Sequence, residues 1–304
     1  MTHVRLPIAA DSVIADFAGA ATVKARIAAL DSALTTLLKL DYSVVVDLHG
    51  SPKLFALLQK DPPAGAQRIT DAWRGLAPLF KPSRHGRLFA ELMNEPPLQG
   101  PDWARMQADL LPELRRLLPD TPLVLSTGGP QRVEALTAST PADDSNVLYA
   151  VHYYDPFFFT HQGADWIGEP GVAAIHGLPF PIVPDAPALA QIQDEIRREG
   201  HDVIAGKLDE LKKGYGENDV EDDMQALADW SGRTDKPVII DEFGVYGSKA
   251  LPADRVRWLQ TVATAASRHC LGWSHWEYRD GFGFVDPASG RPDPAVVKAL
   301  LGTR

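Results

Sequence analysis

Two glutamates stand where acid–base chemistry could use them. Glu95 follows Asn94 and precedes Pro96, and Glu242 lies inside the run IIDEFG. Further reactive residues close other apolar runs: Arg5, His49, His152 with Tyr154, and the stretch from Trp273 to Trp276. Two carboxylates facing one bond suit glycoside hydrolysis. One protonates the leaving oxygen; the other attacks the anomeric carbon or activates water. A single glutamate is more often a structural partner of an arginine or a backbone amide. Two of them at strand ends, with histidine and tyrosine at others, give catalysis and structure equal standing.

Something must bring these ends together. Apolar, β-branched runs at residues 3–8, 43–49, 87–95, 122–127, 146–154, 237–243 and 271–277 read as strands. They are continuous rather than alternating, which fits strands buried on both faces. Helical patterns fall between them, at 22–40, 66–79, 102–118, 132–138, 187–213, 219–230, 252–269 and 294–301. In the first, Val23, Ile27, Leu30, Leu34 and Leu37 form one apolar stripe. Strand and helix in turn predict βα units around a parallel sheet. A (β/α)8 barrel of the TIM type gathers every strand's C-terminal end at one mouth; a doubly wound sheet does not. The expected fold is therefore that barrel, one domain over residues 1–304, with a long loop and helical insertion at about 157–236.

Composition narrows the partners. The formal charge of −10 argues against nucleic acid and against an anionic membrane surface. No apolar run is long enough for a transmembrane helix, and the N-terminus has no signal-peptide pattern. With Cys270 as the single cysteine, an internal disulfide and thiolate metal sites are excluded. His49, His152 and a carboxylate could ligate a divalent ion at a barrel mouth, but no HxH or HExxH pattern supports it. No nucleotide-binding or GxSxG motif appears. The expectation is no cofactor and no metal.

NEP at Asn94–Pro96 and EFG at Glu242–Gly244 resemble glycoside hydrolase family 5, the cellulase-like family of clan A. The likeness runs in strand order from Arg5 in HVRLPI to WSHWEYRDGFG around Trp276. It implies a retaining double displacement, with the two carboxyl groups about 5–5.5 Å apart. Glu95 matches the acid/base and Glu242 the nucleophile. Asn94 matches the residue that binds the sugar 2-hydroxyl. Arg5 and Tyr154 match the groups that keep the nucleophile ionised. His49 and His152 match the histidines lining the −1 sugar site, and Trp276 its floor. Trp103 and Trp166 are candidate sugar platforms, and His161 a candidate subsite ligand.

Neighbouring residues have plainer expected roles. Glu91 should lie about 13 Å below Glu95 along an extended strand, as a structural carboxylate. Asp47, one layer below His49, reads the same way. Alternation turns Asp241 to the face opposite Glu242. Glu277 and Asp280 read as rim residues, Trp73 and Trp258 as helix packing.

One departure from the family pattern stands out. HVRLPI matches the family's second strand, so the first βα unit has no counterpart and the barrel is expected to be incomplete, with seven strands. Open edges invite pairing with another chain, so homo-oligomers are expected. The leading functional reading is an endo-β-1,4-glucanase acting on a polysaccharide or oligosaccharide. Mannan, β-1,3-glucan or mixed-linkage specificity, transglycosylation, and a non-catalytic carbohydrate-binding role stay open. The resemblance also implies a secreted or periplasmic setting.

Overall fold

The computed structural model describes residues 1–302. Among these described residues, seven strands form one sheet in sequential order: β1 (His3–Ala9), β2 (Ser43–His49), β3 (Leu88–Glu91), β4 (Leu123–Leu125), β5 (Val147–Tyr153), β6 (Val238–Phe243) and β7 (Gly272–His275). The pairs from β1 through β5 are parallel. Helix follows each strand, as parallel crossovers require. An unreversed order is the topology of a (β/α) barrel, with seven strands here; in a doubly wound sheet the order reverses. Among the described residues no helix is long and apolar enough to cross a membrane.

Local chemistry explains the helix limits. Proline opens the helices Pro52–Lys60, Pro62–Leu76, Pro187–Arg198, Pro252–Arg268 and Pro294–Leu301, at a position where its missing N–H costs nothing. Asp61 ends the first of these and caps the second, its carboxylate accepting from Ala64 N at 3.1 Å. The helix Pro52–Lys60 is not among the helical patterns read from the sequence. The helix expected over 187–213 is interrupted: it stops at Arg198, Gly200 turns at φ +88°, and a new helix spans Asp202–Lys207.

The chain divides into two compact units. One comprises Met1–Val151 with Trp230–Ile239; the other comprises His152–Asp229 with the chain from Ile240 onward. In the first, Val45, Val124, Ala150 and Ile239 form a buried cluster against Phe89 and Leu148. They come from β2 through β6 and share one face of the sheet. Residues two further along share that face, so Asp47 and Glu91 stand on the same side as the apolar layer. In the second unit, Tyr153 stacks on Trp258 with ring centroids 6.1 Å apart. Its hydroxyl bonds Tyr215 at 2.7 Å and Asp223 at 2.8 Å. That anchors one face of the strand end, while His152 and Tyr154 take the other.

β1 lies at the end of the strand order. The carbonyl of Thr2 accepts from Ser43 N at 3.1 Å, so the main-chain groups of Val4, Leu6 and Ile8 face β2. Those of Arg5 and Pro7 face the other way. Pro7 is exposed there, on the side where proline's missing N–H removes no pairing with β2.

Candidate active site

In the first unit the site grows from one arginine. Arg5 Nε donates to Glu91 Oε2 at 2.7 Å, and Nη2 donates to Glu91 Oε1 at 2.6 Å. The same Nη2 donates to Asn94 Oδ1 at 2.7 Å and lies 3.3 Å from Asp47 Oδ2. These groups are buried, so the two-point Arg5–Glu91 pair offsets the cost of taking both charges out of water. Glu91 is thus the structural carboxylate that its depth suggests. Its depth is reached differently, however. β3 ends at Glu91, and one nitrogen touches both Glu91 and Asn94, which an extended chain would hold on opposite faces. The chain turns after Glu91, so a 13 Å extended separation from Glu95 does not apply.

Arginine has only donors, so its bond to Asn94 settles that amide's orientation: Oδ1 faces Arg5, and Nδ2 is the donating end elsewhere. His49 Nδ1 lies 3.0 Å from Asp47 Oδ2, which favours the tautomer with its proton on Nδ1. Glu95 is half-buried, with φ at +37°, and its N–H donates to Gln131 Oε1 at 2.7 Å.

In the second unit Glu242 is buried at the end of β6. Tyr154 Oη donates to Glu242 Oε2 at 3.0 Å, and His152 Nδ1 lies 3.5 Å from the same oxygen. The other ring nitrogen, His152 Nε2, is 3.4 Å from Asp241 Oδ1. Simple alternation, with Asp241 turned away, therefore fails. His152 meets both carboxylates, one at each ring nitrogen.

Tyr154 is held by aromatic neighbours: His161 at 4.9 Å and Phe282 at 5.9 Å between ring centroids. His161 stacks on Phe157 at 4.3 Å, and its Nδ1 is 3.0 Å from Thr160 Oγ1. It buttresses Tyr154. Trp276 is half-buried, and its N–H donates to Phe243 O at 2.9 Å. A Cβ on Gly244 would fall 2.3 Å from the Trp276 carbonyl oxygen, which explains the glycine after Glu242 and Phe243. Glu277 is not a plain rim residue. Burial first, then the nearby charges of Asp280 and Glu242, raise its carboxyl above the usual range.

The candidate platforms separate. Trp166 is 53% exposed and meets Tyr246 edge-on, with centroids 4.6 Å apart. Trp103 is fully buried and donates from Nε1 to Ser126 O at 3.1 Å, so it presents no face to a sugar. That expectation is corrected: Trp103 packs against the chain after β4, at Ser126 and Gly128. Trp73 and Trp258 are fully buried, as helix packing requires. Gln131 was not anticipated. It follows a GGP turn, and nothing in its sequence setting marks a side chain that reaches another loop's backbone.

Comparisons with known proteins add to this geometry. Endoglucanase 3 of Fibrobacter succinogenes is 24% identical over 278 residues, covering 89% of this chain. The chain spans only 41% of that relative's length. Endoglucanase C of Acetivibrio thermocellus is 24% identical over 289 residues, covering 91% of this chain and 80% of the relative. Among solved structures, Thermotoga maritima Cel5A in complex with mannotriose superposes with a TM-score of 0.79 at 23% identity, covering 99% of this chain and 86% of that one. That likeness establishes the TIM-type barrel fold. The family model described as Cellulase (glycosyl hydrolase family 5) matches residues 1–279, and the chain belongs to that family.

Proposed function

We propose that the protein is a retaining endo-β-1,4-glucanase that cleaves cellulose-like chains by double displacement. The observation that carries the proposal is the Tyr154–Glu242 bond of 3.0 Å. It aims a hydroxyl donor at one oxygen of a buried carboxylate on a strand end, holding in place the group that would attack.

In the first step Glu242 forms a bond to the anomeric carbon as that carbon's bond to the leaving oxygen breaks. Glu95 gives its proton to the leaving oxygen. In the second step Glu95 takes a proton from water, and the water oxygen displaces Glu242. Asn94, its amide oriented by Arg5, offers Nδ2 to the 2-hydroxyl. His49 and His152 line the −1 site, Trp276 forms its floor, and Trp166 offers a further platform for a sugar face.

Reducing-sugar release from carboxymethyl cellulose tests the reading. Wild type is expected to release sugar and Glu242→Gln to be inactive while unfolding like wild type. Release by both proteins would remove Glu242 from the reaction. If neither releases sugar, mannan, β-1,3-glucan and mixed-linkage glucan distinguish another specificity from a binding role. Proton NMR of the first-formed product reads the stereochemistry, and an inverted anomer would overturn retention.

A further inference from the structure

We infer that Gln131 is a positioning residue for Glu95, an inference that rests on reading Glu95 as the proton donor. Its Oε1 accepts from the Glu95 N–H at 2.7 Å. Both residues lie in the left-handed region, Glu95 at φ +37° and Gln131 at φ +49°. Residues with a Cβ stay there only when their surroundings hold them. The direction in which a side chain leaves its backbone depends on that conformation. A general acid must meet its oxygen within hydrogen-bond reach, so a small misplacement lowers the rate.

The loop that carries Gln131 is itself fastened to the loop that carries Glu95. Gly129 N–H donates to Pro96 O at 2.9 Å and to Leu98 O at 3.0 Å. Gln99 and Gly128 form an antiparallel bridge. Gly128 turns at φ +77°, and a Cβ there would stand 2.4 Å from Leu98 O. On the other side, Asn94 N–H donates to Leu48 O at 3.0 Å, and its side chain is held by Arg5. Gln131 supplies the tie at Glu95 itself.

The other end of the amide supports this assignment. Gln131 is fully buried, and its Nε2 has no hydrogen-bond partner among the described residues. A buried unpaired donor weakens a fold. Packing alone would be served better by an apolar side chain of the same size, so what the position gains from glutamine is its oxygen.

The test uses aryl β-cellobiosides, because a good leaving group needs no proton and a poor one does. Gln131→Leu and Gln131→Met remove the oxygen; Gln131→Glu keeps an acceptor of the same reach. Running both apolar variants lets one decide if the other fails to fold. With the thermal midpoint near that of wild type, kcat/KM on phenyl cellobioside is expected to fall on the order of 10- to 100-fold. On dinitrophenyl cellobioside it should change by less than about threefold in the glycosylation step. Gln131→Glu should recover part of the phenyl rate. Glu95→Ala is the reference for full loss of the acid. Equal losses on both substrates, or no loss on either, would overturn the inference while an active wild type and a leaving-group-dependent Glu95→Ala keep the reading of Glu95. If Glu95→Ala shows no such dependence, that reading falls and the inference with it.

Discussion

His275 shows how burial decides a residue's charge. Both ring nitrogens are sealed from solvent although part of the residue is exposed. Burial first, then the positive charge of Arg255, pushes its imidazole down to about 3. The unfolded chain binds that proton near the ordinary histidine value of 6.5, so the folded state is the one that refuses it. Stability is therefore lost as pH falls below about 6.5, and the loss continues toward about 3. Denaturant unfolding at pH 7, 5.5 and 4 checks this. His275→Phe should flatten the pH dependence by one proton's worth, and an unchanged slope would put the acid sensitivity elsewhere. Residue chemistry was legible in the sequence where a side chain closes an apolar run, as with Arg5, His49, Asn94, His152, Tyr154 and Glu242. It was illegible where tertiary packing decides. Trp166 is 53% exposed on a loop whose path local periodicity does not encode, whereas Trp103 shares the buried face of the helix Gly100–Leu117 with Met106, Leu110 and Leu114.

At the scale of elements, β2 to β6 were readable because they are largely buried on both sides and so need apolar residues throughout; β1 and β7 are only partly buried. The helices were readable from their stripes and opening prolines. What escaped was how the strands end. β3 stops at Glu91 rather than at Glu95, and the site is built from the turn that follows. That turn and the loop after β4 each use one left-handed residue other than glycine, Glu95 and Gln131, for which sequence offers no local signal. The same region yields a stability prediction. Gly128→Ala places a Cβ 2.4 Å from Leu98 O and 2.8 Å from Trp103 Cβ, at φ +77°. It should destabilise the protein by about 2–4 kcal/mol in urea unfolding. A loss below about 0.5 kcal/mol, the range of a neutral surface change, would mean the two loops separate without cost.

At the scale of the whole molecule, a count of seven strands leads to an expectation of self-association through open edges. Pro7 works against it at β1. It leaves a gap in the row of donors on the side away from β2, a known defence of edge strands. Pro7→Thr restores that donor and a β-branched side chain. Sedimentation should then show a larger share of associated species than in wild type, and an unchanged distribution would mean copies do not meet at this edge. The bridge between Gln99 and Gly128 bears on how such a barrel can change. Barrel enzymes diversify by varying the loops at one end while the scaffold stays fixed. Here the loops after β3 and β4 are joined by backbone bonds and by a glycine that admits no side chain. Neither can be exchanged for a relative's loop alone. They form a single unit of inheritance, and a chimera that keeps Glu95 in register must transplant residues 95–99 and 128–131 together.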